Sequence, residues 1–350
     1  MVRCKQTEVT ILRVHECPPD GAAAWDAFVA EHPDSSFFHR HGWQRILGEV
    51  LGHTAHYLVV EQDGAVGGVL PLVHVKSLLF GNTLASLPFC AHAGPLARNG
   101  ECRAALERAA SELAHRLGVG ALEYRLLEPS GAERVTKRLY ETFSKTVLPD
   151  EAANMAAIRS KQRNVIRKGI KNGLAFQEDA LERFYAVYAE SVRNLGTPVF
   201  PRRLFEAILE TFPDNVEVVT ATLDDTVVSG AMNFYYRDSV CPYYWGGSHA
   251  ARGLKGNDFL AWNIMCRAAE RGCTLFDFGR SKQGTGAYQW KENLGFEARP
   301  LYYEYELVRD HEMPDINPLN PKYRLFVEAW KRLPLPVAGL VGPWLSRNLG

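Results

Sequence analysis

The chain has 350 residues, of which 46% are hydrophobic and 23% are charged, and its 40 acidic side chains balance its 40 basic ones. This composition is typical of a soluble globular protein of about two domains, and it excludes the disordered and fibrous classes. Because the net charge is zero, no global field steers the whole protein to nucleic acid or membrane, and any anion site has to be local.

Neither the cysteines nor the N-terminal segment indicates a metal or a secreted protein. The seven cysteines form no CxxC pair and no metal-ligand spacing with the eleven histidines, so we expect no metal and reduced thiols. The first residues lack the apolar core of a signal peptide, and no run of about twenty apolar residues occurs. These features predict a cytoplasmic protein.

The first half of the chain alternates between predicted strands and helices around one hairpin. Two β-rich runs flank Asp63-Gly64, which is the strongest short-range hairpin signal. The other predicted elements are a strand at 9–14, helices at 21–31 and 37–52, an arm at 76–84 before a strand ending at Pro88, a loop at 91–95, a helix at 101–117 and a strand at 121–127.

The second half repeats this order. Its predicted elements are a helix at 202–212, a hairpin of strands Val216–Leu223 and 227–236, an aromatic-glycine turn at 243–247, a helix at 257–271 and a strand at 274–278. One repeat of this length predicts duplicated domains. A hairpin gives antiparallel neighbours, whereas strand-helix-strand needs a parallel crossover, so each half should form a mixed sheet with helices packed on it.

A strand followed by a Gly-rich basic loop lies at 275–296. The apolar run ends at Gly279, and the basic residues after it lead to Tyr288, Trp290 and Lys291. Such a loop presents cations at the C-terminal end of a strand, where binding sites in open α/β sheets lie. A β-turn with solvated lysines fits the same residues, and both interpretations stay open at this point.

A basic helix is predicted between the two halves. Six bases and no acid occur from 159 to 173, and Gly173 ends the helix. The usual role of such a run is a solvated helix face. However, like charges at helical spacing destabilise a helix, so a run without acids favours an anionic partner such as phosphate.

Several segments resemble the FemAB-like branch of the GNAT acyltransferase superfamily. They are RSKQRNVIRKGIKNG, YYWGGS and DFGRSKQGTGAYQWKENLGF. ESVRNLGTPVFPRRLFEAI and NPLNPKYRLFVEAWKRLPLP look like the FemAB-like proteins associated with exosortase (PEP-CTERM) systems of Gram-negative bacteria. The resemblance covers nearly the whole chain and implies an α/β fold of two tandem GNAT-like domains, each a mixed β-sheet flanked by helices. These would be an N-terminal domain with a degenerate site at 1–150, a C-terminal domain with the active site and basic helix at 151–310, and a helical tail at 311–350.

The resemblance also implies an activity. A GNAT/FemAB-type acyltransferase would move an acyl or aminoacyl group to an amine of a cell-envelope, peptidoglycan or exopolysaccharide precursor, which is a glycan, a peptide or a lipid-linked molecule. The donor would be acyl-CoA or aminoacyl-tRNA, with no tightly bound cofactor. The alternative is a non-catalytic binding or scaffold protein of an exopolysaccharide or exosortase-linked assembly system. It stays open because the first repeat lacks the aromatic residues and the basic loop, so one copy of the fold already lacks the features of a site.

Individual residues receive roles from this resemblance. Lys291 would stabilise charge at the acyl carbonyl, and the aromatic residues Tyr243, Tyr244 and Trp245 would wall the acceptor pocket, with Tyr244 counted among the catalytic residues. The other candidates for substrate binding are Arg159, Lys161, Arg163, Arg167, Arg280, Lys282 and Tyr288. Donor phosphates would bind a loop with two glycines and two bases at a helix N-terminus, made of Arg252, Gly253, Lys255, Gly256 and Asn257. Its glycines are out of register with the Gln/Arg-x-x-Gly-x-Gly/Ala segment of enzymes that use acyl-CoA.

The mechanism expected from these residues is direct attack by a neutral amine. No nucleophile constellation and no GxSxG occur, so covalent catalysis is not expected. Asp277 is a candidate base, and its alternative role is a carboxylate satisfied by the N–H groups of the adjacent loop.

The C-terminal tail combines a predicted helix at 322–332 with a Pro-rich apolar end. Packing of this helix against the second domain is one interpretation. Peripheral contact with the inner face of the membrane is the alternative, and it stays open.

Overall fold

The computed structural model describes residues 11–77, 81–313 and 321–348. Part of the predicted strand at 9–14 and part of the predicted arm at 76–84 lie outside the described residues. The chain forms two compact units, Met1–Thr136 with Tyr303–Met313 and Lys137–Tyr302 with Pro314–Gly350. The predicted domain boundaries at 150 and 310 stay a prediction.

The first unit is built on one mixed sheet, in which the described residues form eight strands. These are β1 (Leu12–Glu16), β2 (Thr54–Gln62), β3 (Ala65–Ser77), β4 (Gly81–Ser86), β5 (Leu96–Ala97), β6 (Ala121–Leu126), β7 (Val135–Lys137) and, much later in sequence, β15 (Tyr302–Leu307). The helices are α1 (Ala22–Glu31), α2 (Trp43–Arg45) and α3 (Gly100–Leu117), with a 3-10 turn at Phe37–His39 and a π-helical turn at Ile46–Val50. The strand order is β1-β2-β3-β4-β6-β15-β7, with β5 on β3.

The second unit has a seven-stranded sheet. Its strands are β8 (Tyr140–Thr146), β9 (Ala175–Glu178), β10 (Val216–Leu223), β11 (Thr226–Tyr236), β12 (Ser239–Gly247), β13 (Leu275–Lys282) and β14 (Glu297–Pro300). Its helices are α4 (Glu151–Ala156), α5 (Ser160–Lys171), α6 (Leu181–Asn194), α7 (Arg202–Thr211), α8 (Ala251–Leu254), α9 (Gly256–Glu270), α10 (Gly286–Asn293), α11 (Pro321–Trp330) and α12 (Leu335–Ser346). The strand order is β9-β10-β11-β12-β13-β8-β14.

The two sheets correspond strand by strand. In each, antiparallel strands lead to one parallel pair, which is β4 with β6 in the first unit and β12 with β13 in the second. The helix between the parallel strands, α3 or α9, supplies the crossover that such a pair requires. The predicted fold of two mixed sheets flanked by helices is therefore confirmed.

The sixth strand of each sheet comes from the other half of the sequence. In the first sheet this strand is β15, which lies next to β6, and in the second sheet it is β8, which lies next to β13. The halves of the sequence are therefore not the same as the compact units.

The second sheet is covered on both faces by aromatic and aliphatic side chains. On one face, Leu260 and Ile264 of α9 are buried against β11 and β13. On the other face, Tyr188 of α6 and Phe205 of α7 pack edge-to-face on Tyr244 of β12. α9 is buried on more than one face, since the consecutive residues 259–262 are all buried.

Two predicted local structures are wrong. Residues 243–247 are not a turn but the second half of β12, because Trp245 and Gly246 pair with Ala231 and Gly230 of β11. The continuous helix predicted at 37–52 is divided into short 3-10, α and π-helical turns. The tail contains the predicted helix as α11, and its Pro-rich apolar end forms a second helix, α12, which was not predicted.

Candidate active site

A gap between two parallel strands lies at the centre of the second unit. β12 and β13 pair only at Ser239 with Leu275 and at Val240 with Phe276, although they extend to Gly247 and Lys282. Beyond those two pairs, the register of β12 with β13 does not continue. We call this space, between 241–247 and 277–282, the β12–β13 gap.

A β-bulge turns the side chains of β12 at the gap. Met232 pairs with Tyr244 and Asn233 pairs with Pro242, so Tyr243 is the extra residue. Bulges re-aim side chains and are common next to active sites. As a result Tyr243 and Tyr244 are adjacent members of one aromatic cluster, with ring centroids 5.2 Å apart.

Three aromatic rings line the α9 side of the gap. Trp245 of β12 lies 5.8 Å from Phe278 of β13 and 5.5 Å from Trp290 of α10, measured between ring centroids. Phe278 and Trp290 are 5.2 Å apart. These contacts join both strands of the gap to α10, which carries Lys291 as its next residue.

The Lys291 amine is buried at the edge of β13. Its Nζ donates hydrogen bonds to the carbonyl oxygens of Phe278 at 2.8 Å, Gly279 at 3.2 Å and, more weakly, Arg280 at 3.5 Å. The pairing of β13 with β8 is interrupted at these residues, between Asp277 and Arg280. An ammonium has three N–H donors, so all of them are used to hold this irregular segment.

Burial also shifts the pKa of Lys291. It lowers the pKa of the ammonium from its ordinary value to about 8, while the negative charge of Asp277 opposes the shift. With a side chain only 6% exposed, Lys291 is not the solvated surface lysine that a simple β-turn would carry. Its predicted role at the acyl carbonyl stays a prediction, and the geometry adds a positioning role.

Asp277 is held by two neighbours. Its Oδ1 accepts a hydrogen bond from the Gly279 N–H at 2.8 Å and from Thr142 Oγ1 at 3.0 Å. These bonds are those expected for the alternative role of Asp277, and the role as base stays a prediction. Burial raises the pKa of the nearby Cys241 thiol well above its ordinary value, so Cys241 is no activated thiolate.

The predicted phosphate loop lies at the N-terminus of α9, but it is mostly helical, because Arg252 and Gly253 belong to α8 and Gly256 and Asn257 begin α9. We call residues 252–257 the α9 loop. Lys255 precedes this helix with a φ of +63°, and no side chain caps the first N–H groups of α9. Arg252 is exposed, and a Cβ at Gly253 would meet nothing within 4 Å, so the loop is open on this side. Uncapped N–H groups at the positive end of a helix form a favourable place for phosphate.

Three other residues of this segment, Gly256, Asn257 and Lys255, make contacts within the protein. A Cβ at Gly256 would lie 2.6 Å from Val228 Cγ1, so only glycine fits there. Asn257 Oδ1 accepts a hydrogen bond from Trp245 Nε1 at 3.0 Å, which fixes the start of α9 to the gap. Lys255 Nζ donates to the Arg252 carbonyl at 3.1 Å.

The basic helix α5 lies along α9. It buries Gln162, Ile166 and Gly169, and a Cβ at Gly169 would lie 2.9 Å from Phe259 Cβ of α9. The guanidinium of Arg163 donates to the carbonyls of Ala156 and Ile158, which makes it a cap for the preceding turn. Five cations of this segment are exposed and have no hydrogen bond or ion pair among the described residues: Arg159, Lys161, Arg167, Lys168 and Lys171.

Three predicted substrate-binding residues of β13 and α10 contact β8, the neighbour of β13 on the side away from β12. Arg280 and Lys282 lie over the Tyr140 ring, and burial lowers the pKa of Lys282. Tyr288 Oη donates to Glu141 Oε2 at 2.7 Å, and this bond raises the pKa of Tyr288 to about 12. The structure thus groups Lys291, Trp245 and the α9 loop around the gap, and places Arg280, Lys282 and Tyr288 beside β8.

Sequence reasoning missed one acidic residue of the site. Asp258 Oδ1 accepts hydrogen bonds from Trp290 Nε1 at 2.9 Å and from Gln162 Nε2, which joins α9 to α10 and α5. Burial raises the pKa of Asp258 above its ordinary value. An acid in the first turn of a helix is common because of the helix dipole, so the sequence offered no signal for these distant partners.

The corresponding place in the first unit is closed. Beyond the pairs of β4 with β6, Ser86 Oγ accepts a hydrogen bond from the Arg125 N–H at 2.8 Å. The Arg125 guanidinium donates to the Cys90 carbonyl, and the Ala93 N–H donates to the Arg125 carbonyl. The N-terminus of α3 is capped by Asn99, whose Oδ1 accepts from the Cys102 N–H at 2.9 Å. An open gap and an uncapped helix therefore distinguish the second unit.

A metal site and a membrane-spanning helix are both absent from the part of the chain that the structure describes. Among residues 11–77, 81–313 and 321–348, no group of His, Cys, Asp and Glu side chains could hold a metal ion. In the same residues, no helix has both the length and the apolar character needed to cross a bilayer.

One family model matches the central part of the second unit. Residues 156–292 match the model of the acetyltransferase (GNAT) domain. The segment runs from the end of α4 to α10 and contains the β12–β13 gap. No curated protein matches the chain.

Solved structures share the fold at low sequence identity. FemX has a TM-score of 0.66 and 15% identity, covering 90% of this chain and 100% of FemX. The C-terminal domain of a putative lysylphosphatidylglycerol synthetase from Agrobacterium fabrum has a TM-score of 0.56 and 14% identity, over 81% of this chain and 91% of that one. A tandem GNAT protein from the clavulanic acid biosynthesis pathway has a TM-score of 0.54 and 13% identity, over 87% and 100%. The fold is thus that of tandem GNAT-like domains.

Proposed function

We propose that the second unit transfers an acyl or aminoacyl group from a phosphate-bearing donor to an amine. The observation that carries this proposal is the β12–β13 gap, which opens beside the uncapped N-terminus of α9. The gap would hold the reacting carbonyl, and the helix N-terminus would hold donor phosphates. The place in the first unit that corresponds to the gap is closed, which supports a single donor site, in the second unit.

The donor is acyl-CoA or aminoacyl-tRNA. The GNAT match favours acyl-CoA, which carries a pyrophosphate that the α9 loop suits. Aminoacyl-tRNA has weaker support, from the likeness to FemX and from the exposed cations of α5. Arg252 and Lys255 are the side chains that we expect nearest the phosphates.

The reaction is direct transfer. The nitrogen of the acceptor forms a bond to the acyl carbonyl carbon, the bond from that carbon to the donor sulfur or oxygen breaks, and the proton of the amine leaves to Asp277 or to solvent. Negative charge develops on the carbonyl oxygen, so N–H donors aimed at that oxygen lower the barrier most, by a few kcal/mol each. Backbone N–H groups of β12 at the gap are candidates for this role, and Lys291 would keep β13 in the geometry that leaves the gap open.

The acceptor is an amine on a cell-envelope, peptidoglycan or exopolysaccharide precursor. Tyr243 and Trp245 at the gap offer aromatic surface for a sugar or peptide. The name of one structural neighbour, a putative lysylphosphatidylglycerol synthetase, denotes a lysyl group joined to a lipid. This name supports transfer of an aminoacyl group over transfer of another acyl group. The setting in an exosortase-associated system rests on the sequence resemblance alone.

The test is donor binding to a matched pair of variants. Gly253→Glu places a carboxylate in the open loop, where we expect it to reduce the affinity for CoA and acetyl-CoA at least tenfold by repelling phosphate. Gly100→Glu is the control, because Gly100 is an equally open residue at the start of α3 in the first unit. Affinity would be measured by isothermal titration calorimetry, and transfer by mass spectrometry of an amine acceptor. Equal affinity in the two variants, or no transfer from any acyl-CoA or aminoacyl-tRNA, would contradict the proposal.

A further inference from the structure

The C-terminal helix α12 is apolar on two opposite faces. Its inner face consists of Ala338, Gly342 and Leu345, which are buried. Ala338 and Leu345 pack with Trp330 of α11, and a Cβ at Gly342 would lie 2.9 Å from Val199 Cγ1. This face fixes α12 within the second unit.

The outer face of α12 consists of Val337, Leu340, Val341 and Trp344. These residues recur at the i, i+3, i+4 and i+7 spacing that forms one stripe on a helix. All four are exposed, Leu340 to 81% and Trp344 to 56%. A helix that is apolar all round is normally buried, so this stripe is a surface that lacks its partner in the described chain.

The charges at the two ends of the stripe are mainly positive. After Glu328, which accepts a hydrogen bond from Lys331 Nζ at 2.8 Å, the sequence contains no acidic residue, whereas Lys331, Arg332 and Arg347 flank α12 at its two ends. Arg332 and Arg347 are exposed. An apolar stripe between cations is complementary to a lipid surface with anionic headgroups, where cations meet phosphate and apolar side chains enter the acyl boundary.

We propose that the outer face of α12 binds the surface of an anionic bilayer. With 12 residues, α12 is about 18 Å long, too short to cross a hydrocarbon core of about 30 Å, so it would lie in the plane of the interface. Trp344 belongs to the residue type enriched at the level of the headgroups. A second copy is a poorer occupant, because self-association through this face would bring the cations at the ends of two α12 helices close together.

Vesicle co-sedimentation tests this proposal. We expect the full chain to pellet with vesicles of phosphatidylcholine and phosphatidylglycerol in a 7:3 ratio, and at least fivefold less with phosphatidylcholine alone. The double variant Leu340→Ser, Trp344→Ser should lose this binding at least fivefold. Ile11→Ser is the control, since Ile11 is another large apolar residue exposed to 69%. Loss in the control as well, or full binding by the double variant, would overturn the proposal.

Two further measurements separate the alternatives. In the bound state, brominated lipids should quench tryptophan fluorescence, and Trp344→Phe should remove most of that quenching while binding is retained. Unchanged quenching in Trp344→Phe would place another surface on the membrane and overturn the proposal. Light scattering after gel filtration without lipid measures whether the chain self-associates. A wild-type dimer that Leu340→Ser dissociates would also overturn the proposal.

Discussion

The Lys291 ammonium is buried against backbone carbonyls, and this position has a cost that depends on pH. Below pH 8 the group is charged in both the folded and the unfolded chain, and burial of the charge destabilises the folded state by about 3 kcal/mol. Between about pH 8 and the ordinary value of 10.5, the folded chain loses the proton while the unfolded chain keeps it. The free energy of unfolding therefore rises with pH across this window, as far as Lys291 is concerned.

We predict that Lys291→Met changes this dependence. The difference in the free energy of unfolding, wild type minus Lys291→Met, should become more favourable to the wild type from pH 7.5 to pH 10.5. The comparison with the variant removes the tyrosines and cysteines that titrate in the same range. Urea unfolding followed by circular dichroism measures this difference, and a value that is constant or falls with pH would contradict the assignment.

Asp258 allows a second test at a single residue. Both of its hydrogen bonds use Oδ1, so one carbonyl oxygen suffices to accept them. We expect Asp258→Asn to keep the stability of the wild type or increase it, since the buried charge is removed. Asp258→Ala should destabilise the chain by about 1–3 kcal/mol, because the Trp290 and Gln162 donors lose their acceptor. Urea unfolding distinguishes the two, and equal losses for both variants would show that the carboxylate charge itself is required.

At the scale of elements, we predict that the cations of α5 contribute to binding of the donor. Asn172 at the end of this helix donates to the Leu254 carbonyl, which places the last turn of α5 beside the α9 loop. Reversal of two exposed charges, Arg167→Glu with Lys171→Glu, should reduce the affinity for a phosphate-bearing donor roughly tenfold. The effect should shrink in 0.5 M salt, since exposed charges are screened.

The control for this prediction carries the same change of charge elsewhere. Arg108 and Arg116 are exposed residues of α3 in the first unit. Arg108→Glu with Arg116→Glu should leave donor affinity within about twofold of the wild type. Titration calorimetry at 0.05 M and 0.5 M salt measures the donor affinity of both double variants. An equal loss of affinity in the two would show that net charge alone causes the effect.

Local signals in the sequence predicted the elements that depend on local physics. The Asp63-Gly64 hairpin joins β2 to β3, and Gly118 ends α3 in a left-handed conformation with a φ of +61°. The gap could not be predicted, because it depends on where β12 stops pairing with β13, which no residue type specifies. The second half of β12, residues 243–247, is predicted as a turn from sequence because glycines and aromatic residues are common in both turns and strands. The same reasoning missed α12, where Pro343 lies inside a helix that tertiary packing maintains.

At the scale of the whole molecule, the sixth strands decide which fragments can fold. β8 pairs with β13 and with β14, and its Phe143 is fully buried in the core of the second unit. A fragment of residues 151–350 lacks β8 and should not unfold cooperatively, since it exposes an unpaired edge of β13 and leaves the place of Phe143 empty. A fragment of residues 137–350 contains β8 and should show a cooperative thermal transition. Differential scanning calorimetry of both fragments tests this, and cooperative unfolding of the shorter one would show that β8 is dispensable.

The late position of β15 also affects the order of events on the ribosome. β6 ends at Leu126 and β15 begins at Tyr302, so about 175 residues must be synthesised before the first sheet can receive its sixth strand. At about 5–20 residues per second, the nascent chain waits roughly 10–35 s with the polar backbone of β6 unpaired on one side. During translation this edge is a target for holdase chaperones or for pairing with a neighbouring nascent chain. A slow codon cluster within the last third of the message would lengthen that exposure and lower the yield of native protein.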